Sequence, residues 1–570
     1  MTGAELVVKK LIDEGITDVF GVPGGVVLPL LYALEDCEGI SPRLGYNEQA
    51  SGFAAIGYAQ ASGRPGAAYA TRGPGIMNML TAMAEAYYES APVVFLTAHA
   101  NASKKSERRT DYDQETDIIS VAASFTKYAA AVEKSSDLGP ALDKAIKLAK
   151  DGRKGPALLD IAHKVLVNAA ELECDLQDEI ALSDKNDEGL PEKSAGDKED
   201  EAAARFKELL LKSKRPVFLI GDGVRQAGAV QVMRRISAKC GIPAVSSRGA
   251  QDILTGSELY FGYIGSHGVR YANCILDSAD CVIALGNRLS FPLESESYGH
   301  FFENRELLHI DIDPAELTRF GKGRSFCMDV KSFLEKLSEE EYEYPVRKEW
   351  LSECKRYKEA YRMVDMPVVV KDIIGLLEDC GDCRALVCDV GNTEFWVARA
   401  YEYLRPAAPM YVSKSFGTLG SGVGKAIGAY YALRKPVVLI SGDQGLQFGV
   451  NELMHIGKHK LPIRVVIVNN GASGMIRDSE RRKHKADVHT TDDTGYGTPD
   501  FESLAAAYGL SYICVEEGKA LEGRTGLAGC GGNPILLELK VDRDEELTPY
   551  LPRGNKLSGQ YPHYNNQIIE

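Results

Sequence analysis

Two residues 27 positions apart are equipped to hold a hard cation. Asp443 lies in Gly442-Asp443-Gln444-Gly445, and Asn470 lies in Asn469-Asn470-Gly471-Ala472. One carboxylate and one amide oxygen are hard ligands. They suit Mg²⁺, which takes few protein ligands and fills its octahedron with water and phosphate oxygens. Each motif follows an apolar run, residues 437–440 and 463–468, that reads as a buried parallel strand. Residues 450–459 have the length and mixed polarity of a crossover helix, which would complete a βαβ unit. In an open α/β sheet, ligands gather outside the carboxyl ends of strands. The spacing therefore predicts that Asp443 and Asn470 converge on one point.

Composition sets the frame for these elements. A chain of 570 residues, 44% hydrophobic and with 56 glycines, fits a large α/β enzyme of about three or four domains. The net charge of −15 argues against nucleic-acid binding and against anionic membrane surfaces. No apolar run reaches the roughly 18 residues that span a bilayer, and the amino terminus reads as an amphipathic helix instead of a signal peptide. Twelve scattered cysteines point to a reducing cytoplasm. Cys380 and Cys383 form a lone C-x-x-C, too little for zinc.

Along the chain, residues 1–170 alternate helix and strand signals, with strands expected at 19–22, 66–71, 93–97 and 156–161. Residues 171–200 carry twelve acidic and three basic side chains, the composition of a solvated linker. Residues 201–340 form a second α/β domain, with strands at 216–220, 281–285 and 307–312. Its Gly221-Asp222-Gly223 is no dinucleotide fingerprint, because Gln226 stands where the third glycine belongs. Residues 341–552 form the third domain, with strands at 385–390 and 534–541 flanking the βαβ unit. Gly424-Lys425 there fails as a P-loop, since Leu419 and Ala426 stand where Gly and Ser or Thr are required. Residues 553–570 are a polar tail, mobile or folded over a site. The expected fold class is α/β, with three doubly wound parallel-sheet domains.

G-D-G followed by N-N at this spacing is the signature of thiamine-diphosphate enzymes, and the chain resembles that family with G-D-Q-G in place of G-D-G-G. Further segments resemble acetolactate synthase in particular. They include Gly57-Tyr58-Ala59, Gly73-Pro74-Gly75, Gln114-Glu115-Thr116-Asp117, Thr126-Lys127, Gly265-Ser266-His267-Gly268 and His309-Ile310-Asp311-Ile312-Asp313-Pro314. The resemblance implies pyrimidine-binding, central and diphosphate-binding domains in that order. It implies that Asp443, Asn470 and the Ala472 carbonyl hold Mg²⁺ on thiamine diphosphate. Gly391, Asn392, Thr393, Gly442, Gln444, Gly445, Gly474 and Met475 would surround the cofactor. Gly417-Thr418-Leu419-Gly420 matches the family's G-T-M-G, with Leu419 as a near-isosteric prop beneath the bent cofactor. Asn47-Glu48-Gln49 matches H-E-Q. Glu48, set before the small apolar residues 50–55, would hydrogen-bond the pyrimidine and activate the thiazolium. Pro23, Gly24, Gly25 and Asn78 would also touch the cofactor, and Gln114 and Lys127 would join Glu48 in catalysis. Gly221, Gly223, His267, Gly268, Arg288, Asp311 and Asp329 would hold a structural FAD in the central domain. By the same resemblance, Glu48 and Asp443 of one site come from different subunits of a homodimer or homotetramer.

The pattern departs from the family at Asn47, Arg72, Met77 and Asp113. The tryptophan expected after the metal loop is absent; the chain there runs Met475-Ile476-Arg477-Asp478-Ser479-Glu480-Arg481-Arg482-Lys483-His484-Lys485. The resemblance implies a carboligase that decarboxylates pyruvate, or another 2-oxo acid, and passes the two-carbon unit to a carbonyl acceptor. Transfer to a nucleotide-linked keto sugar, and simple 2-oxo acid decarboxylation, stand as alternatives. The basic run 481–485 would suit an anionic acceptor larger than pyruvate.

Overall fold

A computed structural model describes residues 1–100, 113–169, 195–290, 293, 301–320, 323–339, 344–364, 366–381, 383–406, 408–520, 527 and 533–564. Most of the acidic stretch and the last six residues of the tail lie outside them. Among the described residues eighteen strands form three six-stranded sheets, whose neighbouring strands pair in parallel. The first sheet holds β1 (Asp18–Gly21), β2 (Ser41–Leu44), β3 (Gly66–Tyr69), β4 (Val93–His99), β5 (Tyr128–Val132) and β6 (Ala157–Ala162), in the order β2-β1-β3-β4-β6-β5. The second holds β7 (Pro216–Ile220), β8 (Ala244–Ser246), β9 (Tyr260–Tyr263), β10 (Cys281–Leu285), β11 (Glu306–Asp311) and β12 (Ser325–Cys327), in the order β12-β11-β10-β7-β8-β9. The third holds β13 (Ala385–Cys388), β14 (Met410–Val412), β15 (Val437–Gly442), β16 (Ile463–Asn469), β17 (Ser511–Val515) and β18 (Ile535–Lys540), in the order β14-β13-β15-β16-β18-β17. The first and third sheets thus repeat one strand order.

The central strands are near-continuous runs of Val, Ile, Leu and Ala, buried on both faces as parallel strands must be. The chain forms two compact units. One comprises Met1–Asp187, Leu376–Glu394 and Tyr411–Asp544, so it contains the first and third sheets. The other comprises Glu188–Gly375, Phe395–Met410 and Glu545–Glu570.

Within the first unit, the helix Glu48–Ser62 packs against the helix Ser421–Leu433. Both are rich in Gly, Ala and Ser, and the backbones touch. A Cβ on Gly57 would collide with the Lys425 carbonyl, one on Gly424 with Ala50 O, and one on Gly428 with Ala54 O. Lys425 is fully buried and paired with Glu85, which excludes any phosphate-binding role for Gly424-Lys425.

Two expectations are corrected, and a third, left between two alternatives, is narrowed. The crossover helix does not span 450–459. It begins at the strand end as Asp443–Gly449, tightens into a 3₁₀ turn at Val450–Glu452, and resumes as Leu453–Lys458. Asp443 favours the early start, because a carboxylate at a helix amino terminus meets free N–H groups and the positive dipole end. The last residues of the acidic stretch are helical, since the helix Ala195–Lys212 starts there. The tail is anchored as far as it is described: Gln560 is fully buried, and its amide donates to the carbonyls of Gly268 (2.9 Å) and Ser266 (3.3 Å).

Candidate active site

In the third sheet, strand order reverses between β13 and β15, where ligands bind in doubly wound folds. Asp443 follows β15 and Asn470 follows its neighbour β16, so register alone brings them together. Asp443 is buried. Its Oδ1 accepts from the Gln444 amide (2.7 Å) and the Tyr496 hydroxyl (2.9 Å), while Oδ2 is buried and makes no hydrogen bond. Burial pushes this carboxyl up to about 6, against the opposing pull of the Tyr496 hydroxyl and nearby amides. Asn470 Oδ1 accepts only weakly, from the Ala472 amide at 3.3 Å. A buried carboxylate with an idle oxygen beside an amide oxygen is the donor set a small hard cation would complete. Among the described residues no group of three His, Cys, Asp or Glu could hold a metal. A pair of one carboxylate and one amide oxygen falls outside that class.

The neighbouring candidates assemble here. A Cβ on Gly474 would meet Asn470 Nδ2 at 2.9 Å and Asn392 Nδ2 at 3.0 Å, and one on Gly442 would meet Thr393 Oγ1 at 3.3 Å. Asn392 donates to Asp478 (3.0 Å), which the buried Arg477 also engages, and Asn392 Oδ1 is buried without a partner. Gln444 Oε1 accepts from Ser473 Oγ (2.9 Å). Gly391 and Gly417 hold φ of 111° and 71°, with open space where a side chain would stand.

The 417–420 loop is fixed from three directions. Ser413 Oγ accepts from the Gly417 amide, and Asp389 accepts from the Gly420 amide at 3.0 Å. Glu89, from the first sheet's domain, accepts from the amides of Lys414 (2.8 Å), Ser415 (2.5 Å) and Phe416 (3.1 Å). Thr418 Oγ1 is buried and unpartnered. Leu419 is half-buried on this loop.

Glu48 stands at the corresponding edge of the first sheet. It heads its helix after β2, with Asn47 Oδ1 capping the helix by accepting from the Gln49 amide (2.8 Å). Glu48 Oε2 accepts from Asn78 Nδ2 (3.0 Å), and a Cβ on Gly75 would lie 3.3 Å from Oε1. Gln114 reaches this group through its backbone, which fills the space beside Gly73, while its side chain is exposed. Gly24 packs on Thr71 beside it; Pro23 and Gly25 are exposed.

Lys127 is not brought to this cluster. It precedes β5, at the amino ends of the strands, and its Nζ donates to the Asp151 carbonyl at 2.5 Å. Gly221 and Gly223 are likewise no open cradle, because the Gly286-Asn287 backbone occupies the space beside them. Arg288 and Asp329 do follow β10 and β12, and Asp311 ends β11, at the carboxyl edge. His267 and Gly268 follow β9 on the far side, where His267 Nδ1 donates to Pro549 O (3.1 Å). In the basic run, Arg481 grips Asp487 with two hydrogen bonds of 2.8 Å and Asp544 with a third of 2.7 Å, and residues 481–484 close a helix carboxyl end. They complement that helix dipole, and Arg481 is committed to its two carboxylates.

Sequence reasoning missed Tyr496, Asp389 and Glu89. Asp389 adjoins Gly391-Asn392 and carried a positional signal; Tyr496, 53 residues beyond Asp443, carried none.

Comparison with known proteins gives the same picture. Thiamine pyrophosphate enzyme, N-terminal TPP binding domain, matches residues 1–121; the central domain of that family matches 203–337, and its C-terminal TPP binding domain matches 389–539. The acetolactate synthase large subunit of Lactococcus lactis is 30% identical over 97% of this chain and 95% of its own. The acetolactate synthase isozyme 2 large subunit of Escherichia coli is 29% identical over 97% and 98%. A probable chloroplastic acetolactate synthase 2 of rice is 31% identical over 96% and 84%. The chain belongs to the thiamine pyrophosphate enzyme family, as a thiamine-diphosphate-dependent, acetolactate-synthase-like transferase.

Proposed function

We propose that the chain decarboxylates pyruvate and transfers the two-carbon unit to a second 2-oxo acid, forming a 2-alkyl-2-hydroxy-3-oxobutanoate, which is acetolactate when the acceptor is pyruvate. The observation that carries the reading is the buried, half-satisfied Asp443 beside Asn470 at the sheet's switch point. Bound thiamine diphosphate supplies a nucleophilic carbon and an electron sink for loss of the carboxylate. Asp443, Asn470 and the Ala472 carbonyl would hold Mg²⁺. Asn392, Thr393 and Thr418 offer hydrogen-bonding groups beside it, and Leu419 a prop beneath the rings. Glu48 would accept or hold a proton at the pyrimidine, with Asn78 orienting its carboxylate.

The domain limits 1–170, 201–340 and 341–552, a homodimer or homotetramer, and a cytoplasmic location belong to the same proposal. No disulfide joins the described cysteines, and no described helix is long and apolar enough to cross a membrane. FAD at the carboxyl edge of the second sheet rests on the reversal of strand order between β7 and β10 and on a buried, unpartnered Asn287 Nδ2. An absorption spectrum of the purified protein tests it. Transfer to a nucleotide-linked sugar loses its support with Arg481 committed to Asp487 and Asp544.

The decisive experiment supplies thiamine diphosphate, Mg²⁺ and pyruvate alone. Carbon dioxide released together with acetolactate is expected. Acetaldehyde as the product would replace the carboligase with a decarboxylase.

A further inference from the structure

The turn that aims Glu48, residues 44–47, is held from outside its own domain. Its first-sheet contacts are few: the Gly45 amide donates to Gly21 O (2.9 Å), and the Asn47 carbonyl accepts from Ser51 Oγ (3.1 Å). Three further backbone groups of the turn are taken by two side chains more than 400 residues further along the chain. Glu452 Oε1 accepts from the Tyr46 amide (2.8 Å) and the Asn47 amide (2.9 Å). His455 Nδ1 donates to the Leu44 carbonyl (2.8 Å).

The chemistry of each partner fixes its role. A carbonyl only accepts, so His455 carries its proton on Nδ1, and Nε2 is left to accept from the Tyr431 hydroxyl at 2.9 Å. Burial holds this imidazole neutral, its pKa lowered to about 4. Glu452 and His455 stand three residues apart where the 3₁₀ turn meets the helix Leu453–Lys458, so they share a face. They are 3% and 2% exposed. A carboxyl group buried this deeply is costly to keep unless its hydrogen bonds matter, and both hydrogen bonds of Glu452 go to the two residues preceding Glu48.

We propose that Glu452 and His455 are positioning residues that set the 44–47 turn and thereby the direction of Glu48. The proposal rests on the reading of Glu48 as the activating carboxylate. It assigns the aim of an amino-terminal-domain residue to a clamp in the carboxy-terminal domain of the same chain.

The test compares Glu452→Leu, which keeps bulk but removes the acceptor, with Glu452→Gln, which keeps one acceptor oxygen. Glu48→Gln is the reference. Amide hydrogen exchange of residues 44–47 is followed in the full chain without cofactor. Exchange of the thiazolium C2 proton is followed in bound thiamine diphosphate with Mg²⁺, and kcat and KM for pyruvate are measured separately. In Glu452→Leu, protection of the Tyr46 and Asn47 amides and the C2 exchange rate should each fall by about tenfold, the scale of one neutral hydrogen bond. KM should stay unchanged. Glu452→Gln should recover most of both. Wild-type C2 exchange in Glu452→Leu, or a Gln variant no better than Leu, would overturn the proposal while Glu48→Gln remains slow. If Glu48→Gln itself exchanges at the wild-type rate, the reading of Glu48 has failed, and the positioning role falls with it.

Discussion

Asp443 and Glu452 are both buried carboxyls pushed upward by burial, yet their surroundings differ. Asp443 keeps an unpartnered oxygen beside Asn470, whereas Glu452 faces two amides that it satisfies. Asp443→Ala removes the only charged ligand of the proposed metal site. Affinity for thiamine diphosphate measured with Mg²⁺ by equilibrium dialysis should fall by at least about 100-fold, since even outer-shell losses cost 10–100-fold. Unchanged affinity would remove Asp443 from the site. Glu452 makes a different prediction, about stability. Its folded pKa is raised from 4.5 to about 7 by burial, so the folded state binds the proton more tightly than the unfolded chain. Its contribution is therefore greatest below about 4.5 and is lost as pH rises to about 7. Glu452→Gln removes the dependence. Relative to wild type, the variant should gain stability across that window by up to about 3 kcal/mol, read from urea midpoints at pH 4.5 and 7.5. Parallel curves for the two proteins would contradict the burial of this carboxyl.

At the scale of elements, the helix pair Glu48–Ser62 and Ser421–Leu433 is the most demanding contact in its unit. Gly428→Val inserts a branched side chain where the Ala54 carbonyl already sits. Overpacking of this kind costs about 1–3 kcal/mol and more where backbone must move, so the urea midpoint should drop clearly; a midpoint equal to wild type would mean that the helices do not touch there. What sequence reading recovers is set by the same packing physics. Every strand foreseen overlaps a strand of a sheet: 216–220 and 281–285 match β7 and β10 to the residue, and 437–440 and 463–468 fall within β15 and β16. All six edge strands went unforeseen, as did β8. An edge strand such as Ser41–Leu44 includes Pro42 and Arg43 and is open to solvent, so it shows none of the apolar continuity that burial on both faces imposes. The Asp443–Asn470 pairing was legible because both follow central strands. The Glu452–His455 clamp was not, because its partners are backbone groups, which leave no residue type to read.

At the scale of the whole molecule, the first and third sheets share one strand order and present their functional turns at corresponding edges. If Glu48 and Asp443 of each site come from different subunits of a dimer, Glu48→Gln and Asp443→Ala should complement. A mixed dimer would carry one doubly altered site and one unaltered site. Equal co-expression should then restore about a quarter of wild-type carbon dioxide release from two nearly inactive proteins. Mixtures no more active than their parents would place both residues of a site on one chain.

The glycine contact between those two helices also bears on how substrate enters. Helices that meet through interleaved side chains can slide by small rotamer changes, the basis of shear motion between domains. Here Gly57, Gly424 and Gly428 bring backbone against backbone, and the Lys425–Glu85 pair is sealed within the unit. No deformable layer remains to absorb a displacement. Displacement between the two sheets of this unit is resisted at this contact, so access to Asp443 depends on segments outside the helix pair, such as the one that brings the Tyr496 hydroxyl to its carboxylate.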